Sequence, residues 1–127
     1  MFQEVQFKDC KMLGLRFDEV NTFRFSINCI RSQFDHASFY GLSLQKSSFN
    51  ECNFLGADFS DVNASRSQLI NSVFIDAVFD GTNLEDCDLT GSTDFYIDPS
   101  KNRIKGAIIP RHSLEGLLHQ HKLTIVD

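Results

Sequence analysis

Long apolar runs, an excess of basic charge, tryptophan and closely paired cysteines are all missing from this 127-residue chain. No stretch approaches the ~20 apolar residues of a membrane-spanning helix, and MFQEVQFKDC has no signal-peptide character. A net charge of −5 argues against a general binder of nucleic acid or anionic membrane. The four cysteines, at 10, 29, 52 and 87, form no CxxC pair and no metal-ligand spacing. A reduced, cytoplasmic protein is the simplest account. Catalytic signatures are missing too: there is no glycine-rich phosphate cradle and no Ser-His-Asp arrangement. His112, His119 and His121 come without the cysteines or carboxylates of a metal cage, and His36 takes a solvent position. Neither catalytic, metal nor cofactor residues are assigned, and no enzyme is expected.

What is present is phenylalanine, 13 of them against 2 tyrosines, and it recurs at an unusual interval. In SFNECNFLGADF, residues 48 to 59, Phe49, Phe54 and Phe59 are five apart. On an α-helix five residues advance by roughly 500°, which smears the rings around the cylinder. On a flat strand an odd step flips each ring to the other face. Counting in fives from Phe34 gives centres at Phe39, Leu44, Phe49, Phe54, Phe59, Ala64, Leu69, Phe74, Phe79, Leu84 and Leu89, with Ala64 the one small member. Two residues before these twelve centres, ten are small; directly before them, ten are polar, the exceptions being Val73 and Val78. Gly14, Gly41, Gly56, Gly81 and Gly91 fall two after a centre, where a corner needs a permissive backbone.

These columns describe a square coil. Each five residues form one short side, the centre and the small residue point inward, and the rest face solvent. Four sides close a turn of twenty residues, and turns stack at about the β-spacing of 4.8 Å. Residues twenty apart then form four ladders: Phe34, Phe54, Phe74; Phe39, Phe59, Phe79; Leu44, Ala64, Leu84; and Phe49, Leu69, Leu89. From Phe2 to Ile109 this gives about five and a half coils, or roughly 26 Å of rod.

The pattern resembles the pentapeptide repeat family, whose repeat is a small residue, Asp or Asn, Leu or Phe, and two variable positions. Ala57-Asp58-Phe59-Ser60-Asp61 and Cys87-Asp88-Leu89-Thr90-Gly91 carry the resemblance most closely. It implies an all-β fold, a right-handed quadrilateral β-helix over residues 1–109. The segment 110–127 is expected to be a cap of a short C-terminal α-helix and strand.

The register breaks in two places. Early centres at Phe2, Phe7, Met12 and Phe17, with Val5, Cys10 and Leu15 inward, are offset by two from the later ones, so two extra residues enter within DEVNTFRFSIN, 18 to 28. A corner bulge carrying Phe23 and Phe25 is expected, its rings folded over the coil or offered to a partner. STDFYIDPSKN, 92 to 102, loses the pattern, and Ile104 and Ile109 restore it above Leu84 and Leu89. After Pro110, Leu114, Leu117 and Leu118 have helical spacing, and KLTIVD reads as a terminal strand. The ending is similar to that of Qnr-type family members, in which a C-terminal helix caps the coil and builds a twofold dimer. The resemblance implies homodimer contacts at Leu114, Leu117, Leu118 and Ile125, with capping alone the alternative.

Function is read from the surface. A non-enzymatic scaffold with a rigid protein-binding surface is the leading expectation, its partner unspecified. Residues 50–98 hold ten acids and one base, net −9, while residues 1–49 are net +1 and residues 99–127 net +3. The Qnr resemblance implies an alternative: an acidic DNA mimic that binds DNA gyrase or topoisomerase IV and protects against quinolones. Its candidate surface is Asp58, Asp61, Asp76, Asp80, Glu85, Asp86 and Asp88. Corner Asp and Asn also serve turns and solubility, and these acids do not fall on one side. Leu55, Val73, Ile75 and Val78 form a candidate apolar patch for a protein partner.

Overall fold

The computed structural model describes residues 3–17 and 25–127. Four parallel strands, β1 (Gln3–Lys8), β2 (Phe25–Ile30), β3 (Ser48–Asn50) and β4 (Gln68–Ile70), stack in sequence order. Single parallel bridges continue the stacking elsewhere: Gln33 to Asn53 to Val73, Ser38 to Asp58 to Val78, and Asn63 to Asn83 to Arg103. Each step is twenty residues, so each coil has four five-residue sides. We number the sides by their centres: first Phe34, Phe54, Phe74; second Phe39, Phe59, Phe79; third Leu44, Ala64, Leu84, Ile104; fourth Cys29, Phe49, Leu69, Leu89, Ile109.

The centres fill the interior. Phe34, Phe39, Phe49, Phe54, Phe59 and Phe74 have no exposed surface. Rings on one side stack with near-parallel planes: Phe34 on Phe54 at 5.2 Å and 9°, Phe39 on Phe59 at 5.1 Å and 8°, and Phe59 on Phe79 at 5.1 Å and 4°. Rings on neighbouring sides meet edge-on, as Phe54 meets Phe59 at 66°. Both arrangements suit the aromatic quadrupole. Ala64 is buried like the other centres, and the inward residue before it is the larger Val62, which is also buried.

The five-residue step works because the corner backbone is left-handed. The residue two after each centre has positive φ: His36 58°, Lys46 61°, Glu51 57°, Asp61 55°, Arg66 59°, Asn71 50°, Asp76 56° and Asp86 57°. Where a turn closes, the next inward N–H bonds back to the centre's carbonyl, as Ala57 does to Phe54 at 3.0 Å and Cys87 to Leu84 at 3.1 Å. Positive φ at the third position is the type II turn signature. At Gly56, φ 64°, a Cβ would also meet the exposed His36 ring of the coil below, which would have to swing aside. Gly106 shares the corner column, a sixth glycine beyond the five expected there.

Polar columns satisfy the backbone. The side chain before the centre accepts the N–H two residues on: Asn53 from Leu55, Asp58 from Ser60, Asn83 from Glu85 and Asp88 from Thr90, at 2.9–3.0 Å. Inward hydroxyls link the coils. Ser47 accepts from the N–H of Ile27 at 2.9 Å and Ser72 from that of Cys52 at 3.2 Å. The Ser92 hydroxyl in turn donates to the Leu69 carbonyl at 2.6 Å. Small inward residues are therefore often serine, because a buried hydroxyl bonded on both sides costs little.

The first coil is twenty-two residues long, pairing Gln3 with Phe25 and Arg16 with Ser38, as the expected two-residue offset requires. Other expectations are corrected. Phe25, expected in a corner bulge, instead opens β2, where Ile27 and Cys29 alternate inward and are each 1% exposed. Phe2, residues 18–24 with Phe23, and the side chain of Val5 lie outside the described residues. Leu15, expected inward, is 47% exposed.

In residues 92 to 102 the chain slips by one. The centre position after Phe74 falls on Asp94, which turns outward at φ 62°, and Phe95 enters instead, meeting Phe74 at 6.4 Å edge-on. Ile97 is fully buried with it. Asn102 returns to the inward column, accepting from the N–H of Thr82 at 2.9 Å. Ile104 and Ile109 then stack as expected, shown by Leu84 donating to Arg103 at 2.7 Å and Leu89 to Ile108 at 2.9 Å.

The expected C-terminal α-helix is not formed. Arg111–Leu117 and His119–His121 are 3-10 helices, and KLTIVD is not a strand. In a 3-10 helix residues three apart share a face, and here that face is Ser113 and Gly116, both buried. The Ser113 hydroxyl donates to the Ser92 carbonyl at 2.8 Å, and the Ile97 N–H donates to the Gly116 carbonyl at 2.9 Å. A side chain at position 116 would collide with the Phe95 carbonyl. Docking through a small-residue line, not a leucine stripe, selects the tighter helix. Lys122, at φ 49°, then turns the chain, and residues 123–127 stay exposed because no edge pairs with them.

Candidate interaction surfaces

The interior is occupied by its own side chains, so candidate sites are on the outside. Leu55 and Ile75 occupy one outward column in successive coils, linked by Gly56 donating to the Ile75 carbonyl at 2.8 Å. Val73 flanks Phe74 on the same side. Val78 lies beyond the Asp76 corner on the second side, so the apolar group wraps a corner. Ile75 is 45% exposed and Val78 48%, while Leu55 and Val73 are half-buried. Tyr96, 51% exposed, lines one concavity with Val78, Lys101 and His119, and its ring stacks on His119 at 4.0 Å. No residue pattern singles out Tyr96, because the one-residue slip at Asp94 decides that it faces out.

The seven candidate acids surround the coil. Asp58 and Asp80 are on the second side, Glu85 on the third and Asp88 on the fourth; Asp76, Asp61 and Asp86 are three different corners. Asp58 and Asp88 are engaged in turn hydrogen bonds. Glu85 pairs with Arg103 of the next coil at 2.6 Å. The four others are exposed. A similar rung-to-rung pair joins Asp9 to Arg31 at 2.9 Å, and that hydrogen bond holds the Asp9 carboxyl below the usual carboxylate range. The Ser100 side chain does the same for Asp98.

The four C-terminal candidates are divided. Leu118 and Ile125 line one concavity with Tyr96 and Leu123. Leu114 is exposed elsewhere on the helix, and Leu117 is half-buried against the core.

The cysteines are all free thiols. Cys29, Cys52 and Cys87 are buried, and burial pushes each thiol up, Cys87 to about 11. Groups so disfavoured as thiolates are poor nucleophiles. No cluster of three or more His, Cys, Asp or Glu suited to a metal ion occurs among the described residues, and none of the described helices is long and apolar enough to cross a membrane.

No curated protein matches the chain. Among solved structures it is similar to HetL, a pentapeptide repeat protein involved in heterocyst differentiation regulation from the cyanobacterium Nostoc sp. strain PCC 7120. That match has 14% identity and a TM-score of 0.50 over 81% of this chain and 44% of HetL, so the chain spans under half of HetL's length. A trypsin-treated form of QnrB1, a plasmid-mediated fluoroquinolone resistance protein, aligns over 100% of this chain and 98% of its own, with 12% identity and a TM-score of 0.39. The pentapeptide repeats model matches in eight copies across residues 27–63 and 52–91, together just over half of the chain. With the coil geometry, this match establishes that the chain belongs to the pentapeptide repeat family.

Proposed function

We propose that the protein is a non-enzymatic scaffold whose working part is the outer surface of the coil. It binds a protein partner through the apolar corner formed by Leu55, Val73, Ile75 and Val78. One observation carries the reading: two β-branched residues, Ile75 and Val78, are about half exposed on either side of a corner that a filled interior holds rigid. A rigid apolar surface loses little entropy on binding. The four free thiols fit a reducing compartment, and we place the protein in the cytoplasm. Exposure of Leu114, Leu118 and Ile125 supports self-association into a homodimer through the C-terminal segment. The test is a pull-down from the native host with the parent and with Leu55→Asp and Ile75→Asp. Partners retained equally by all three forms would reject the corner as the binding surface.

The DNA-imitating reading, with gyrase or topoisomerase IV as partner, has one supporting observation. Asp61, Asp76 and Asp86 sit at left-handed corners with exposed side chains, so their backbone positions are set by the coil. Their spread around the rod weighs against a single acidic face. A gyrase supercoiling assay with and without a fluoroquinolone decides: no effect at micromolar protein, and no binding to the enzyme, removes this reading.

A further inference from the structure

Successive coils are joined by a fixed rule. The centre and corner N–H groups donate to the next coil, as in Leu84 to Arg103, Asp86 to Lys105 and Leu89 to Ile108. The carbonyl two before the centre accepts from the next coil, as Thr82 does from Arg103 and Cys87 from Ile108. By this rule the N–H groups of Ile104, Gly106 and Ile109, and the carbonyls of Asn102 and Ala107, face a further coil. None of the five has a hydrogen-bond partner among the described residues. The C-terminal helices do not reach this half, since they dock on Ser92, Phe95 and Ile97. The apolar floor is also open: Ile104, Ala107 and Ile109 are half-buried, whereas Leu84 and Leu89 one coil below are fully buried.

We propose that the third-side part of this edge, residues 102–106, binds an extended acidic peptide of a partner protein, which adds to the coil as one more parallel strand. The proposal rests on the reading of the protein as a protein-binding scaffold, but it uses a different surface. Charge selects the occupant. Lys101, Arg103 and Lys105 are all exposed on this last coil, in the part of the chain that is net +3. Lys105 is in no ion pair among the described residues. The Arg103–Glu85 pair shows that a carboxylate one rung away reaches this row of cations. A strand added on the open side lies one rung away in the other direction. Its main chain would supply the hydrogen bonds missing at Asn102, Ile104 and Gly106, an apolar residue would cover Ile104, and acids on either side would meet Lys105 and, in competition with Glu85, Arg103. The peptide therefore alternates acidic and apolar residues.

The probe is a fluorescein-labelled seven-residue peptide of alternating glutamate and isoleucine, titrated into the full chain and followed by anisotropy. Binding is expected, weakened about tenfold by Lys105→Glu and unchanged by Ile75→Asp. Methylating the peptide amide that faces the Asn102 carbonyl abolishes it, and methylating the amide next to it does not. The proposal is overturned by failure to bind at millimolar peptide, by equal loss from both methylation patterns, or by unchanged affinity for Lys105→Glu. It is equally overturned by sedimentation and hydrogen exchange showing that a second copy of the chain already protects the amides of Ile104, Gly106 and Ile109. Peptide binding by a protein whose Ile75→Asp form keeps every pull-down partner would remove the apolar corner and leave the edge. Loss of partners on Ile75→Asp with no peptide binding would do the reverse.

Discussion

Phe54 and Phe74, twenty residues apart, stack with ring centroids 5.0 Å apart and planes 11° from parallel, and neither exposes any surface. Each ring has a further ring above, below or beside it, so a void left at either position has no flexible neighbour to fill it. Phe54→Ala and Phe74→Ala should each cost about 3–5 kcal/mol of unfolding free energy. Denaturant melts of the two variants measure this, and losses under about 1 kcal/mol would contradict a stacked interior.

Lys46 occupies a corner at φ 61° with its side chain exposed. A non-glycine residue pays about 1–2 kcal/mol to adopt that backbone, while glycine adds roughly 0.5–1 kcal/mol of unfolded-state entropy. Lys46→Gly should therefore stabilise the protein by up to about 1 kcal/mol. A lower melting midpoint would mean that the lysine makes compensating contacts.

Asp88 accepts the Thr90 N–H at 2.9 Å, which an asparagine oxygen can do equally. Asp88→Asn should leave stability nearly unchanged, and Asp88→Ala should lose about 1 kcal/mol. The same pair of variants in a partner-binding assay separates charge from turn structure. Loss of binding with Asp88→Asn would assign the carboxylate a role beyond the turn.

Burial raises the Cys87 thiol to about 11 from an ordinary value of 9.0. A raised folded-state value leaves its contribution intact below about pH 9. Between about pH 9 and 11 the unfolded chain loses protons that the native chain keeps, so stability falls as pH rises. Denaturant midpoints across this range should fall more steeply for the parent than for Cys87→Ala. In native protein at pH 8, Cys10, only half-buried, should react with a thiol reagent well before Cys29, Cys52 and Cys87; simultaneous labelling of all four would show that the coil opens readily.

Leu118 and Ile125 share one exposed concavity, and Leu117 packs against the core. If the chain associates through its C-terminus, Leu118→Asp should shift the sedimenting mass from dimer to monomer without lowering the melting midpoint. Leu117→Asp should lower the midpoint as well. Equal masses for parent and Leu118→Asp would exclude this surface.

The sequence by itself determined the coil. Identity at every fifth position specifies which residues are buried, because a left-handed corner resets the chain after each centre and makes each side nearly independent of distant contacts. The ladders, the two-residue offset near the start and the return of register at Ile104 follow from that local rule. Tertiary structure decided whatever depends on how a segment meets the finished rod. Asp94 yields the centre to Phe95 because a carboxylate cannot enter the apolar lumen beside Phe74. Residues 111–121 become 3-10 helices because Gly116 must let the Phe95 carbonyl approach. Leu114 and Leu118 are left outside, and residues 123–127 remain unpaired, since β-propensity forms a strand only where a free backbone edge is within reach.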